Sequence, residues 1–305
     1  MSSSALAPIG VVAHYNLLER LDPAGPGELF RARDTRLGRT VAVRLLPPAF
    51  ALDADGRASL MATARSLVVL SHPNVITLFD VGEHDGRVYL VFEFLKGQSL
   101  RADMAGRPMN VRRAIELAIQ IADAVADAHA AGFVHRGLSP DSVVITAKGH
   151  AKIPAFELAA RSGFDRNAAE VRLRDYDSPE EARGQQADER SDVYSVGAVL
   201  YEMLTTRRPL HRGSAAPSAS NRHVPSEIDE IVLKAVAPNA ASRIQSAVTL
   251  AAELRGAAAI LDDRGDAEDE GGHPEEQTTR VGLVLILTTA ILLGLGGLAW
   301  WMAAG

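Results

Sequence analysis

Residues 135–144 concentrate side chains that could do chemistry, in the order His-Arg-Gly-Leu-Ser-Pro-Asp-Ser-Val-Val. The stretch holds an imidazole, a guanidinium, two hydroxyls and one carboxylate, Asp141. A second carboxylate, Glu157, closes the sequence Pro-Ala-Phe-Glu at 154–157. Asp141 and Glu157 are therefore the candidate ligands for a metal ion. The chain has no cysteine, which excludes thiol catalysis, disulfides and Cys-ligated zinc.

The 135–144 stretch resembles the catalytic loop of protein kinases, whose pattern is H-R-D-L-K-P-x-N followed by apolar residues. Three positions depart from that pattern. The catalytic Asp of the family is Gly137 here, the Lys that steadies the phosphoryl group is Ser139, and the metal-binding Asn is Ser142. The resemblance implies a loop that retains the residues that determine its conformation and lacks the residues that take part in catalysis.

Other kinase motifs follow in order and show the same division. Ala155 stands at the metal-binding Asp of Asp-Phe-Gly, and Thr63 stands where a helical Glu pairs with the strand Lys. Arg44 replaces that Lys; it is either a phosphate contact or a solvated strand residue, and its planar fork is not equivalent to an ammonium. The resemblance thus implies no intact catalytic residue and no metal site. Rescue of metal binding by Asp141 or Glu157 stays open.

Five positions outline a nucleotide pocket that the resemblance implies. Gly27 is the third glycine of the phosphate-covering G-x-G-x-x-G loop, and the other two are missing. Ala42 and Val144 stand where family members sandwich adenine. Arg44 stands at the phosphates and Glu93 in the hinge between the lobes. These residues keep ATP open as a cofactor, whereas the lost metal ligands argue against magnesium.

The elements that carry these residues follow from hydrophobic patterning. Runs of apolar, β-branched and aromatic residues predict strands up to residue 95, with a helix at about 58–70. From Met109 the apolar spacing becomes three and four, which predicts a long helix ending at Gly132. Its apolar positions are Ala114, Leu117, Ala118, Ile121, Val125 and Ala128. Residues 191–210 give the closest match to the kinase family, at the central helix of its second lobe.

The fold class implied by the resemblance is α+β, with the two lobes of a bacterial Hanks-type serine/threonine kinase. We expect a β-rich lobe at about 13–95 and a helical lobe at about 96–261. The positions kept are structural in the family. They are the stack at Leu67, Leu78, His135 and Phe156, its anchor Asp192, and the pair Glu180 and Arg243.

The remaining segments are distinguished by composition. Residues 1–12 form an N-terminal tail with no basic region followed by an apolar run, so we expect no signal peptide. Residues 262–280 are acidic and rich in glycine, which predicts a disordered linker. Residues 281–302 carry no charge and are long enough to span a bilayer, with residues 303–305 as a tail. A buried core helix is the other interpretation of 281–302.

Location and partners follow from these segments. A transmembrane helix without an export signal predicts a single-pass protein of the bacterial cytoplasmic membrane, with the kinase-like domain in the cytoplasm. Ala290 and Gly294 form a small-xxx-small pair that could support a weak homodimer. The net charge of −6 gives no support to a nucleic-acid-binding surface.

Three functions fit the pattern. The favoured one is a pseudokinase, a membrane-held regulatory or scaffolding module whose partners are proteins, among them other kinases. The alternatives are a divergent active serine/threonine kinase and a sensor that binds ATP without turnover.

Arg136 carries one further expectation. The arginine of this loop often holds a phosphorylated residue in active kinases, but residues 157–177 contain no threonine. A carboxylate at Glu170, Asp175 or Asp177 could pair with Arg136 instead. Otherwise Arg136 caps local backbone groups.

Overall fold

The computed structural model describes residues 8–21, 27–47, 54–68, 70–154 and 175–271, with the backbone alone described for 54–56, 59, 63, 66 and 262–271. The chain divides into two units, Met1–Ala258 and Ala259–Gly305. Both lobes and the candidate site lie in the first unit. Of the second unit, the structure describes the helical residues 259–271.

The first lobe is built on an antiparallel sheet. Its strands are β1 Gly10–Val12, β2 Tyr15–Leu21, β3 Glu28–Asp34, β4 Thr40–Leu45, β5 Leu78–His84 and β6 Arg87–Glu93. They pair in the order β1-β2-β3-β4-β6-β5. Helix α1, Ala54–Leu67, connects β4 to β5 and packs on β5.

Apolar side chains of five strands form the core of this lobe. The cluster consists of Val12, Tyr15, Leu17, Phe30, Ala32, Val41, Val43, Leu45, Tyr89 and Val91. Alternate residues of a strand point to the same face, so Val41, Val43 and Leu45 reach this core together. The intervening Ala42 and Arg44 lie on the other face of β4.

The second lobe begins with a small antiparallel sheet and continues as helices. The small sheet has the order β7-β8-β9, formed by Gly97–Ser99, Val144–Thr146 and Ala151–Lys152. The described helices are α2 Leu100–Met104, α3 Val111–Ala130, α4 Pro179–Ala182, α5 Glu189–Thr205, α6 Ser226–Ala235 and α7 Ala247–Gly271.

Helices α3 and α5 contribute a large share of the second core. All six apolar positions that predicted α3 are buried, which confirms the helical spacing. Every residue of α5 from Ser191 to Thr205 is buried. Gly197 lets α6 approach α5 closely, because a Cβ at this glycine would stand 2.6 Å from the Cβ of Ala235.

Hydrogen bonds between residues 74–76 and β9 with its continuation fasten the two lobes together. Ile153 N–H donates to Asn74 O and Ile76 N–H donates to Ile153 O, each at 2.8 Å. Asn74 Nδ2 donates to Ala151 O at 2.7 Å. The end of β9, which leads to Ala155, is therefore held against the first lobe.

The observed elements differ from the sequence prediction at both ends of the domain. Strand β1 lies inside the segment predicted as a tail, since three residues are too few to show a strand pattern. Helix α7 passes the predicted boundary at 261 and continues to Gly271. That boundary rested on composition, which changes inside the helix. Helix α1 begins and ends about three to four residues earlier than predicted.

The predicted membrane span at 281–302 lies outside the described residues. Among the residues that the structure does describe, no helix combines the length and the apolarity that crossing a bilayer requires.

Candidate functional site

Asp192 fixes the shape of the loop at 135–144. Its fully buried carboxylate accepts hydrogen bonds from His135 N–H at 2.6 Å and Arg136 N–H at 2.8 Å. His129 Nε2 lies 2.8 Å from the same carboxylate. Arg136 has a left-handed backbone, φ 61°, which this pair of amide contacts holds in place. Position 192 therefore acts as the anchor that the resemblance implied.

His135, one of the four residues predicted to form a stack, is 1% exposed. Burial lowers the pKa of this imidazole, and its Nε2 lies 3.1 Å from Pro154 O. Leu67 and Leu78 are each 1% exposed. Phe156, the fourth predicted member, lies outside the described residues.

The side chains that replace the catalytic Lys and Asn form hydrogen bonds with the backbone of the loop. Gly137 has no side chain at the site of the base. Ser142 Oγ accepts from Ser139 N–H at 3.0 Å and lies 3.2 Å from Gly137 O and 3.0 Å from Ser139 O. Ser139 Oγ in turn accepts from Ser142 N–H at 3.3 Å. Both hydroxyls serve the turn itself, which explains how the loop keeps its shape without the family's Lys and Asn.

Asp141, the one carboxylate of the loop, is bound by Arg101 of α2. Arg101 Nε lies 3.2 Å from both carboxylate oxygens, and Arg101 Nη2 lies 3.1 Å from Oδ2. Such a two-point pair is a strong, oriented contact. A metal at Asp141 would have to displace this guanidinium. Within the described part of the chain, no group of three His, Asp or Glu side chains could hold a metal ion.

Glu93 connects the hinge to the second lobe. Its Oε1 accepts from Thr77 N–H at 2.9 Å and from Lys152 Nζ at 2.5 Å. Lys152 Nζ also donates to Val75 O at 3.3 Å. The side chain predicted for the nucleotide pocket therefore fastens the end of β6 to β9, and any adenine contact at this residue would use its backbone.

Three other predicted pocket residues lie on or beside β4. Gly27 precedes β3 with φ +88°, and a Cβ there would stand 2.1 Å from Leu45 O. A glycine is thus required by the backbone whether or not a nucleotide binds. Ala42 is 8% exposed and pairs with Phe92, next to Glu93 on β6. Arg44 is partly buried on the same face as Ala42.

The remaining predicted positions are placed less completely. Val144 begins β8 and pairs with Ser99 on one side and Lys152 on the other. Thr63 lies in α1, where the backbone alone is described. Ala155 and Glu157 lie outside the described residues.

Glu180 and Arg243 form the ion pair that the resemblance implied. Arg243 Nη1 lies 2.7 Å from Glu180 Oε1, and Nη2 lies 3.1 Å from Oε2. Burial alone would raise the pKa of Glu180, but the hydrogen bonds and charge of Arg243 lower it to about 2. This pair braces α4, at the end of the activation segment, against the helical lobe.

Of the three carboxylates considered as partners of Arg136, Asp175 and Asp177 lie among the described residues. Asp175 pairs with Arg208, which follows α5. Arg136 Nη2 donates instead to Ala187 O at 3.4 Å, so the backbone-capping interpretation describes its contact. The backbone carbonyl of Asp177 accepts from His211 Nε2 at 3.0 Å. Glu170 lies outside the described residues.

Sequence reasoning missed the residues that organise this region most extensively. Arg101, Tyr176 and Glu202 form a hydrogen-bonded cluster with Asp141, and Lys152 pairs with Glu93. No local sequence pattern predicts these contacts, because they join residues tens of positions apart.

Comparison with known proteins decides the family. The family model for the protein kinase domain matches residues 16–254. The chain belongs to the protein kinase domain family. This result, with the sheet-rich and helical lobes described above, confirms the predicted two-lobed kinase fold.

Two bacterial kinases with curated descriptions are similar to the chain. The chain is 34% identical over 296 residues to the probable serine/threonine-protein kinase SCO3848 of Streptomyces coelicolor, which covers 87% of this chain and 44% of that protein. It is 35% identical over 263 residues to the serine/threonine-protein kinase PknB of Mycobacterium tuberculosis, covering 79% of this chain and 42% of PknB. The chain thus spans about two fifths of the length of these relatives.

A solved kinase structure shows the same fold. The kinase domain of Mycobacterium tuberculosis PknI aligns with a TM-score of 0.68 and 23% identity, covering 83% of this chain and 99% of that domain. At this level of identity the comparison supports the architecture.

Proposed function

We propose that this kinase-family chain is a catalytically inactive regulatory or scaffolding module, held at the cytoplasmic membrane by residues 281–302, with other proteins, including kinases, as its partners. The observation that carries the proposal is the state of the catalytic loop. Asp192 and the Ser139–Ser142 contacts keep the loop in shape, while Gly137 offers no base.

The chemistry of phosphoryl transfer makes this loss severe. Transfer relies on positioning and on metal ions that neutralise the developing charge. A general base adds about 10²–10⁴-fold. The loop has neither the family's catalytic base, at Gly137, nor its metal ligand, at Ser142. Its one carboxylate, Asp141, is bound to Arg101. A fold kept without these groups is suited to binding partners.

Binding of ATP without turnover is the second candidate. The buried Ala42 on β4 and the hinge at Glu93, fixed to Lys152, are the observations that favour it. Adenine would need an apolar slot and hinge backbone groups, and neither requires the missing catalytic side chains.

One experiment separates inactive, active and sensing proteins. The full chain, purified in mild detergent, is incubated with labelled ATP and either magnesium or manganese, with PknB as the positive control. We expect no transfer to the chain itself or to a generic substrate protein. Melting temperature is measured in parallel with ATP, with and without magnesium, and a rise in either would indicate nucleotide binding.

The matched variant for this assay is Arg44→Ala, because Arg44 stands in place of the phosphate-contacting Lys. Labelled transfer by the wild-type chain that is lost in Arg44→Ala would contradict the proposal and establish a divergent active kinase. A trace of transfer that survives in this variant would be assigned to a contaminating kinase.

A further inference from the structure

The guanidinium of Arg101 joins four separate segments of the helical lobe. Besides its two-point contact with Asp141, Arg101 Nη1 lies 2.6 Å from Glu202 Oε1, and Nη2 lies 2.6 Å from Tyr176 Oη. Arg101 belongs to α2, Asp141 to the catalytic-like loop and Glu202 to α5. Tyr176 lies at the described end of the activation segment, just before α4. Backbone bonds already join α2 to the loop, from Arg101 N–H to Pro140 O at 2.9 Å and from Leu100 N–H to Val143 O at 2.8 Å. The Arg101 side chain adds Tyr176 and Glu202 to this connection.

Tyr176 is the most buried member of this cluster. Its side chain is 1% exposed, and its hydroxyl accepts from Arg101 and donates to Glu202 Oε2. Burial, together with the hydrogen bond to Glu202, raises the pKa of Tyr176 to about 12, so the phenol keeps its proton at neutral pH. The hydroxyl therefore satisfies one donor and one acceptor at once. The carbonyl of Tyr176 accepts from Ser195 Oγ at 2.8 Å.

A second arginine, Arg208, contacts the same residue. Arg208 lies over the Tyr176 ring, with its Cζ 5.7 Å from the ring centroid, and it pairs with the neighbouring Asp175. Residues 175 and 176 are thus held by arginines from α2 and from the segment after α5. The catalytic-loop Arg136, which holds a phosphorylated loop residue in active kinases, takes no part in these contacts.

We propose that Arg101 is a latch that fixes residues 175–178 against the catalytic-like loop in one conformation, with no modification of the segment. This idea deepens the proposed function and rests on it in one respect: a partner-binding module needs a surface that is ready without phosphorylation. The latch requires the fork of a guanidinium, because three acceptors at different angles are met by one planar group. A lysine ammonium carries its three donors on one nitrogen, whereas Arg101 reaches Asp141, Glu202 and Tyr176 from three separate nitrogens.

The simpler alternative is that Arg101 stabilises the helical lobe as a whole. The two ideas differ in what opens when the guanidinium is removed. A latch frees Tyr176 while α5 stays folded, whereas a general brace exposes Tyr176 only when the lobe unfolds. Tyr201, buried near the C-terminal end of α5, reports the second event.

Cleavage by chymotrypsin measures both events in the same sample. The full chain in detergent is digested under native conditions, and mass spectrometry follows the cuts after Tyr176 and after Tyr201. In Arg101→Ala we expect the cut after Tyr176 to become at least about tenfold faster, which corresponds to about 1.4 kcal/mol of local opening. The cut after Tyr201 should stay at the wild-type rate. Arg101→Lys should behave like Arg101→Ala.

Millimolar guanidinium chloride tests directly whether the missing guanidinium group of Arg101 is what held Tyr176. In Arg101→Ala it should slow the cut after Tyr176 towards the wild-type rate, while sodium chloride at the same ionic strength should not. The matched control is Arg255→Met, which removes an arginine whose partner is Asp123 at the surface, and it should leave both cuts unchanged.

Three results would contradict the latch. They are equal acceleration of the cuts after Tyr176 and Tyr201 in Arg101→Ala, a wild-type rate of the cut after Tyr176 in Arg101→Lys, and an unchanged rate of that cut in Arg101→Ala. If Arg101→Ala does not fold, Asp141→Asn asks the same question, since it removes the charge of one acceptor and keeps its shape. An unchanged rate after Tyr176 in that variant would equally contradict the latch. Phosphoryl transfer is read in a separate assay, so failure of the latch and failure of the proposed inactivity are distinguishable.

Discussion

The Glu180–Arg243 pair shows how a charged residue can be essential without touching the reaction. The Arg243 side chain is 0% exposed, and its guanidinium donates to Arg190 O at 2.6 Å and Ala237 O at 3.2 Å as well as to Glu180. Removing this one group would leave a carboxylate and two carbonyls without their donor. The cost of breaking a buried pair comes mainly from such uncompensated groups.

We therefore predict that Arg243→Met lowers the free energy of unfolding by about 3–5 kcal/mol. Urea titration of the wild-type and variant chains, followed by circular dichroism, measures the change. Arg255→Met is the control, because its exposed pair with Asp123 should contribute about 0–1 kcal/mol. Equal urea midpoints for Arg243→Met and Arg255→Met would show that the buried pair does not stabilise the fold more than the exposed one.

Acid should weaken the same pair. The pKa of Glu180 is lowered from 4.5 to about 2 in the folded chain, so the unfolded chain binds the proton more readily between these values. The contribution of the pair is complete above about pH 4.5 and is lost as the pH falls towards 2. The difference in stability between wild type and Arg243→Met should accordingly shrink over this window. A difference that is constant from pH 6 to 2.5 would contradict the assignment.

At the scale of elements, local patterning and long-range contacts differ in how far they could be predicted. The apolar positions of α3 repeat at helical spacing, so its buried face followed from the sequence alone. The catalytic-like loop and α5 were recognisable through their resemblance to kinases. The Arg101 cluster was not, because Asp141, Tyr176 and Glu202 lie 40, 75 and 101 positions away. Only the fold brings such residues together.

The contact between α5 and α6 gives a prediction for an element. Gly197→Ala should destabilise the chain by about 1–3 kcal/mol, because its Cβ would stand 2.6 Å from the Cβ of Ala235. The better helix propensity of alanine, about 1 kcal/mol, offsets part of this cost. Gly256→Ala in α7 is the control, since no atom lies within 4 Å of the added Cβ, and it should be neutral or stabilising. Thermal unfolding measures both, and equal shifts would contradict close packing at Gly197.

The whole molecule combines a domain whose charged residues are used for structure with a segment that has no charge. In the helical lobe, Asp192, Glu202, Glu180 and Arg243 are buried or mostly buried and bind neighbouring segments. Residues 281–302 instead lack any charged side chain. The first arrangement suits a rigid surface for partners, and the second suits a bilayer. Our proposal of a membrane-held module depends on both.

The membrane part of the proposal predicts where the full chain is found after cell lysis without detergent. A run of about 20 apolar residues is long enough to span the hydrocarbon core. We expect the chain in the membrane fraction, resistant to an alkaline wash. Leu287→Arg with Leu292→Arg places two charges near the middle of the run, each costing about 2.5–3.5 kcal/mol of insertion free energy. That double variant should move into the soluble fraction, whereas Leu287→Val with Leu292→Val should stay with membranes. Recovery of the wild-type chain in the soluble fraction, or identical partitioning of the two double variants, would exclude anchoring by residues 281–302.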